Sequence, residues 1–132
     1  MNNLILLLAL AILVILVYRM WEPFVSSPKR EVPVGSANLY FFYTDWCGFS
    51  QKAMPEWEKL EAALSKASVF GTTRVKPVRV NAEEDRKTAL LYEVHGYPTI
   101  MLETSSVLSV YEGKRTSEAL LQFLRETLGK ER

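Results

Sequence analysis

An α/β fold with a mixed sheet packed between helices is predicted by three observations. First, short β-like runs alternate with helical periodicities from residue 38 onward. Second, the last two β-like runs are separated only by Thr104-Ser105-Ser106, a hairpin-length loop. Third, 132 residues is the length of one domain with one core. Strands joined through helices become parallel neighbours, and the late hairpin adds antiparallel ones, so about four strands flanked by helices are expected. The chain carries 16 Lys+Arg against 15 Asp+Glu, a formal charge of +1. That balance lacks the basic excess a nucleic-acid surface needs. A single cysteine excludes an intrachain disulfide and argues against a four-ligand zinc site.

Residues 4–18 are an unbroken apolar run. As a helix it rises about 22 Å, and extension to Trp21, with Arg19 snorkelling and Tyr18 and Trp21 at headgroup level, approaches the roughly 30 Å of a hydrocarbon core. A cleaved signal would carry basic residues before the run and small residues at a cleavage site, and a buried core helix would show a polar stripe. Residues 1–21 are therefore expected to be one transmembrane helix, making this a single-pass membrane protein. Arg19, Lys29 and Arg30 follow the run and nothing basic precedes it, which favours the C-terminal domain on the cytoplasmic side. Residues 22–37 hold Pro23, Ser26, Ser27, Pro28, Pro33, Gly35 and Ser36, a composition suited to a linker.

The domain is expected over 38–132. Residues 38–43 read as an aromatic strand covered on both faces. Over 50–66, Ala53, Trp57, Leu60 and Leu64 form a helical stripe with Pro55 inside it. Residues 75–80 alternate like a strand, disturbed at Pro77. Residues 83–92 read as a helix with acidic residues first, which suits the helix dipole. Strands at 99–103 and 107–111 follow. A closing helix over 117–128 places Leu120, Leu121, Leu124 and Leu128 on one face and ends at Gly129.

The chemistry concentrates in Thr44-Asp45-Trp46-Cys47-Gly48-Phe49-Ser50, between the first strand and first helix of the domain. Open α/β sheets place their sites at the carboxyl ends of strands. A cysteine at a helix N-terminus meets unpaired amides and the positive end of the dipole, which favour the thiolate, the nucleophile of disulfide exchange. The plainer alternative is a buried, inert cysteine. Asp45 beside it would oppose ionisation. Trp57 at helical spacing reads as core, His95 as an ordinary loop residue, and Lys52 and Lys59 with Glu56 as a solvated helix face. Trp46 and Tyr97 offer an aromatic rim for apolar peptide.

These residues resemble the thioredoxin-fold family, in particular its thioredoxin and protein-disulfide-isomerase modules. The resemblance rests on Tyr40-Phe41-Phe42-Tyr43, then Trp46-Cys47-Gly48, then Pro55, the loop Val94-His95-Gly96-Tyr97-Pro98-Thr99, and Tyr111-Glu112-Gly113-Lys114-Arg115 before Leu120 and Phe123. It covers about 38–128 and implies a thioredoxin-like three-layer sandwich. It also implies a cis bond before Pro98, with Pro98 against Cys47 and neighbouring backbone pairing with an extended substrate. The catalytic positions it implies are Cys47 and Ser50; the substrate-binding ones are Trp46, Gly48, Phe49, Tyr97, Pro98 and Thr99.

Two departures bear on activity. Ser50 stands where the family's resolving cysteine belongs, so another thiol must resolve any mixed disulfide on Cys47. Phe41 stands where the family buries a proton-transferring acid. The expected function is monothiol exchange with protein or low-molecular-weight thiols and disulfides, with no cofactor and with glutathione as a candidate external thiol. The alternative is a redox-inactive interaction module. Cys47-Gly48-Phe49-Ser50 also matches the tetrad of monothiol glutaredoxins, which hold an iron–sulfur cluster with glutathione, but their Gly-Gly is missing after Pro98.

Overall fold

The computed structural model describes residues 2–25 and 32–130. They fall into two compact units, Met1–Glu31 and Val32–Arg132. In the first, α1 (Asn2–Val25) contains the apolar run, whose leucines, isoleucines and valines stand exposed. The helix passes the expected boundary at residue 21 and continues through Pro23, which composition had assigned to the linker. Among the described residues no helix is long and apolar enough to cross a membrane, which corrects the expected transmembrane span. The unbroken apolar run within α1, residues 4–18, rises about 22 Å against a hydrocarbon core of about 30 Å. Linker residues 26–31, including Lys29 and Arg30, lie outside the described residues.

The second unit is built on β1 (Ser36–Tyr43), whose side chains alternate between two buried faces. A turn introduces it, Ser36 N–H donating to the Pro33 carbonyl at 3.0 Å with Gly35 at φ +80°. β3 (Thr73–Asn81) lies parallel to β1 on one side, and β4 (Thr99–Thr104) antiparallel on the other. β5 (Leu108–Tyr111) pairs antiparallel with β4. β2 (Val69–Phe70) pairs with Thr73 and Arg74, so the sheet has five strands in the order β2-β3-β1-β4-β5 rather than the expected four. Two residues are too few to show alternation, and Gly71 at φ +59° closes the turn instead. Beyond Arg74 the outer edge of β3 has no neighbouring strand among the described residues, which is where a sheet tolerates Pro77.

α2 (Gly48–Lys66) and α4 (Ser117–Leu128) cover one face of the sheet, and α3 (Arg86–Leu91) the other. α2 starts two residues earlier than its apolar stripe suggested and runs on past Pro55. α3 is shorter than expected: Asp85 caps it, accepting from Thr88 N–H at 3.0 Å, so Glu83 and Glu84 precede the helix. Thr116 caps α4 by accepting from Ala119 N–H at 3.3 Å, and Glu56 of α2 accepts from Ser117 N–H at 2.9 Å. Glu56 thus ties two helices together instead of merely lining a solvated face.

The larger core packs Leu39, Phe41, Trp57, Leu60, Leu102, Leu120 and Leu124 between the sheet and α2/α4. The smaller gathers Phe42, Val80, Ala89, Tyr92 and Met101 under α3. Phe41, fully buried, stacks on Trp57 with centroids 4.9 Å apart and on Tyr43 at 5.5 Å. Trp57 Nε1–H donates to Glu61 at 2.8 Å, and Arg79 of β3 binds the same carboxylate. Phe41→Ala is expected to destabilise the domain by about 3–5 kcal/mol, read as a lowered urea midpoint, because it empties a stacked aromatic site.

Candidate functional site

The site is made where β1 ends and α2 begins. Ala82 N–H holds the Tyr43 carbonyl at 2.9 Å, fixing the end of β1 against β3. The chain then turns through Thr44, Asp45 and Trp46, and Cys47 N–H reaches the Thr44 carbonyl at 3.4 Å. Cys47 is the N-cap of α2 in extended conformation (φ −80°, ψ 116°), and its carbonyl accepts from Gln51 N–H at 3.0 Å. Gln51 also anchors the turn, its Nε2 donating to the Asp45 carbonyl at 2.6 Å.

This position decides the sulfur's electrostatics. Cys47 is half-buried, and its thiol donates to the Tyr97 carbonyl at 3.5 Å. The Tyr97–Pro98 bond, at the start of β4, is cis, and Pro98 is buried. The Ser50 amide lowers the Cys47 pKa most; partial burial opposes it, and the Ser50 hydroxyl and the Phe49 amide lower it further. All three lowering groups belong to the first turn of α2, where donors lack helical partners and favour an anion. Asp45 is tied to β3. Its carboxylate accepts from Asn81 Nδ2 at 3.0 Å, while Asn81 Oδ1 accepts from Glu83 N–H at 3.0 Å.

Ser50 lies beneath the sulfur rather than in the open. It is 1% exposed, and its hydroxyl oxygen accepts from Thr44 N–H at 3.4 Å, leaving its proton to face the sulfur. Trp46 and Phe49 are 67% and 73% exposed, on either side of Cys47. Trp46 meets Tyr97 edge to face at 6.5 Å. Gly48 is exposed, and an added Cβ would meet nothing within 4 Å, so no close approach demands glycine there. Thr99 donates its hydroxyl to the Gly96 carbonyl at 2.7 Å, bracing the loop that presents Tyr97. His95 is exposed, Trp57 is core, and Phe41 puts an aromatic ring where an acid was the family expectation.

Two clefts flank Cys47 and share Tyr97 as a wall. One, about 410 Å³, is bounded by Thr44, Trp46, Glu83, Arg86, Leu90 and Tyr97. The other, also about 410 Å³, is bounded by Phe49, Lys52, Ala53, Tyr97, Pro98 and Arg115. Sequence reasoning missed Asn81, Lys52 and Arg115 as site residues. Asn81 had one available signal, since parallel pairing of the two strands puts it opposite Tyr43. Thr44 is buried, and its hydroxyl finds no partner among the described residues. Among those residues no three His, Cys, Asp or Glu side chains converge in a metal-binding group.

The sequence pattern of the thioredoxin family matches residues 20–126. Protein disulfide isomerase-like 2-1 of Oryza sativa subsp. japonica is 38% identical over 101 residues, 75% of this chain and 26% of the relative. Among solved structures, human ERp44 superposes with a TM-score of 0.60 at 28% identity, over 70% of this chain and 27% of that one. The first thioredoxin domain of mouse protein disulfide-isomerase A4 does so at 0.58 and 29%, over 68% of this chain and 61% of that one. The chain thus spans about a quarter of the curated relative's length. With that sequence pattern and this strand order around Cys47, the chain belongs to the thioredoxin family.

Proposed function

We propose that the domain is a monothiol exchange module acting through Cys47. The observation that carries this reading is a reachable sulfur whose pKa is held below the ordinary thiol value by the first turn of α2, facing the Tyr97 carbonyl at 3.5 Å. Cys47 thiolate attacks one sulfur of a client disulfide; the client's S–S bond breaks, its other sulfur leaves as thiolate, and a Cys47–client disulfide forms. Ser50 offers hydrogen bonds to the sulfur and no second thiolate. Release therefore comes from a client cysteine or an external thiol such as glutathione. That thiol attacks the client's sulfur in the mixed disulfide, and Cys47 leaves as thiolate. Trp46, Gly48, Phe49, Tyr97, Pro98 and Thr99 form the rim over which the client lies. No cofactor enters these steps.

Alkylation of Cys47 across pH tests the reading. The expected midpoint lies below that of the same cysteine in urea, because the lowered pKa keeps the thiolate populated at lower pH in the folded chain. A folded midpoint at or above the unfolded one would leave only a redox-inactive binding module. Ser50→Cys is expected to convert slow, thiol-dependent turnover of a disulfide substrate into turnover through an internal disulfide. Trapped Cys47–client adducts should fall correspondingly in non-reducing gels.

We also infer attachment to a membrane through the apolar run 4–18, supported by its composition and by the exposed side chains that α1 presents. Arg19, Lys29 and Arg30 after the run favour a cytoplasmic domain. The full chain should stay in the membrane pellet after alkaline extraction, and Arg132 should be cleavable from the cytoplasmic side; release into the supernatant would remove the anchor from the reading.

A further inference from the structure

We propose that the cleft bounded by Phe49, Lys52, Pro98 and Arg115 receives an acidic stretch of the client beside its reacting cysteine. This inference rests on Cys47 being the exchanging thiol and adds which clients it prefers. The two clefts beside Cys47 differ in charge. The Trp46–Leu90 cleft holds Glu83 and Arg86 together, so its charges balance. The Phe49 cleft holds Lys52 and Arg115 with no carboxylate in its lining. Neither cation has an ion pair among the described residues, in contrast to Lys59 and Arg79, which bind Glu56 and Glu61. Both are exposed, while Ala53 and Pro98 form an apolar floor.

Tyr97 walls both clefts and its carbonyl faces the Cys47 sulfur. A peptide whose cysteine reaches Cys47 therefore passes from one cleft into the other. Its apolar part suits exposed Trp46 and Leu90, and its other flank enters a space with two unneutralised cations. Carboxylates there meet complementary charge, which raises encounter rates and sets preference more than it raises total affinity. Lys52 and Arg115 are positioning residues in this scheme, since neither touches the reacting sulfurs.

The test uses the full chain in a non-ionic detergent and synthetic peptides whose single cysteine is activated as a 2-pyridyl disulfide. Cys47 thiolate attacks the peptide sulfur, the pyridyl S–S bond breaks, and pyridine-2-thione leaves as the measured product. Peptides carry Asp/Glu, Ser or Lys beside the cysteine, and each rate is divided by that of the Ser peptide in the same protein. The expected acidic-to-neutral ratio is about three- to tenfold at low salt, shrinking toward one as salt screens the charges. In the double variant Lys52→Glu, Arg115→Glu the acidic peptide should become slower than the Lys peptide. Ratios near one in the native chain, or a ratio unchanged by charge reversal, overturn the proposal. The same peptides with Ala for cysteine, followed by fluorescence anisotropy, read the cleft without the sulfur, and loss of acidic preference there overturns it too. Failure of Cys47 to react with 2,2′-dithiodipyridine would instead refute the exchange reading.

Discussion

The site depends on one junction, the point where the central strand hands the chain to the N-terminus of α2. β1 is paired on both sides, with β3 and with β4, as far as Phe42, and its last residue, Tyr43, is held by β3. Four residues later Cys47 caps the helix, and the amides of Phe49 and Ser50 meet its sulfur before any helical carbonyl can use them. The fixed strand end and the unsatisfied helix start together give this cysteine its acidity. Packing secures the same junction from below: Phe41, two residues before the end of β1, is stacked between Trp57 of α2 and Tyr43.

The substitutions relative to a dithiol site act in one direction. Ser50 keeps the hydrogen bonds that a helix start can offer a sulfur, and its own oxygen is used by the Thr44 amide. Phe41 contributes apolar packing in place of a buried acid. The domain thus retains what ionises and presents Cys47 while lacking an internal partner to complete a cycle. On the proposed exchange reading surface charge gains importance, because release and client choice would then depend on what approaches from outside. Asn81 ties the turn before Cys47 to β3 by donating to the Asp45 carboxylate.

Much of this was legible beforehand. The alternation of elements, the helical stripe at Ala53, Trp57, Leu60 and Leu64, and the closing helix over Ser117–Leu128 follow from side-chain periodicity, which is local. Cys47 could be singled out because strand-to-helix order alone puts it at a helix start. Other features were hidden for equally physical reasons. β2 is too short to carry a pattern, and α3 begins only where Asp85 caps it, after two glutamates that look like its first turn. The expected membrane span rested on apolarity, and among the described residues no helix is both long and apolar enough to cross a membrane.

Local residue order, then, determined the element types, the single thiol and the missing second sulfur, since propensity, periodicity and identity need no knowledge of neighbours in space. Tertiary structure decided what surrounds that thiol. It brought the Tyr97 carbonyl, fifty residues away in the chain, to 3.5 Å from the sulfur, and set Asn81 against Asp45 across 36 residues. It also placed Lys52 of α2 and Arg115 of the loop before α4 along one cleft. Distances of that kind arise from strand register and helix packing, which couple residues that no local pattern connects.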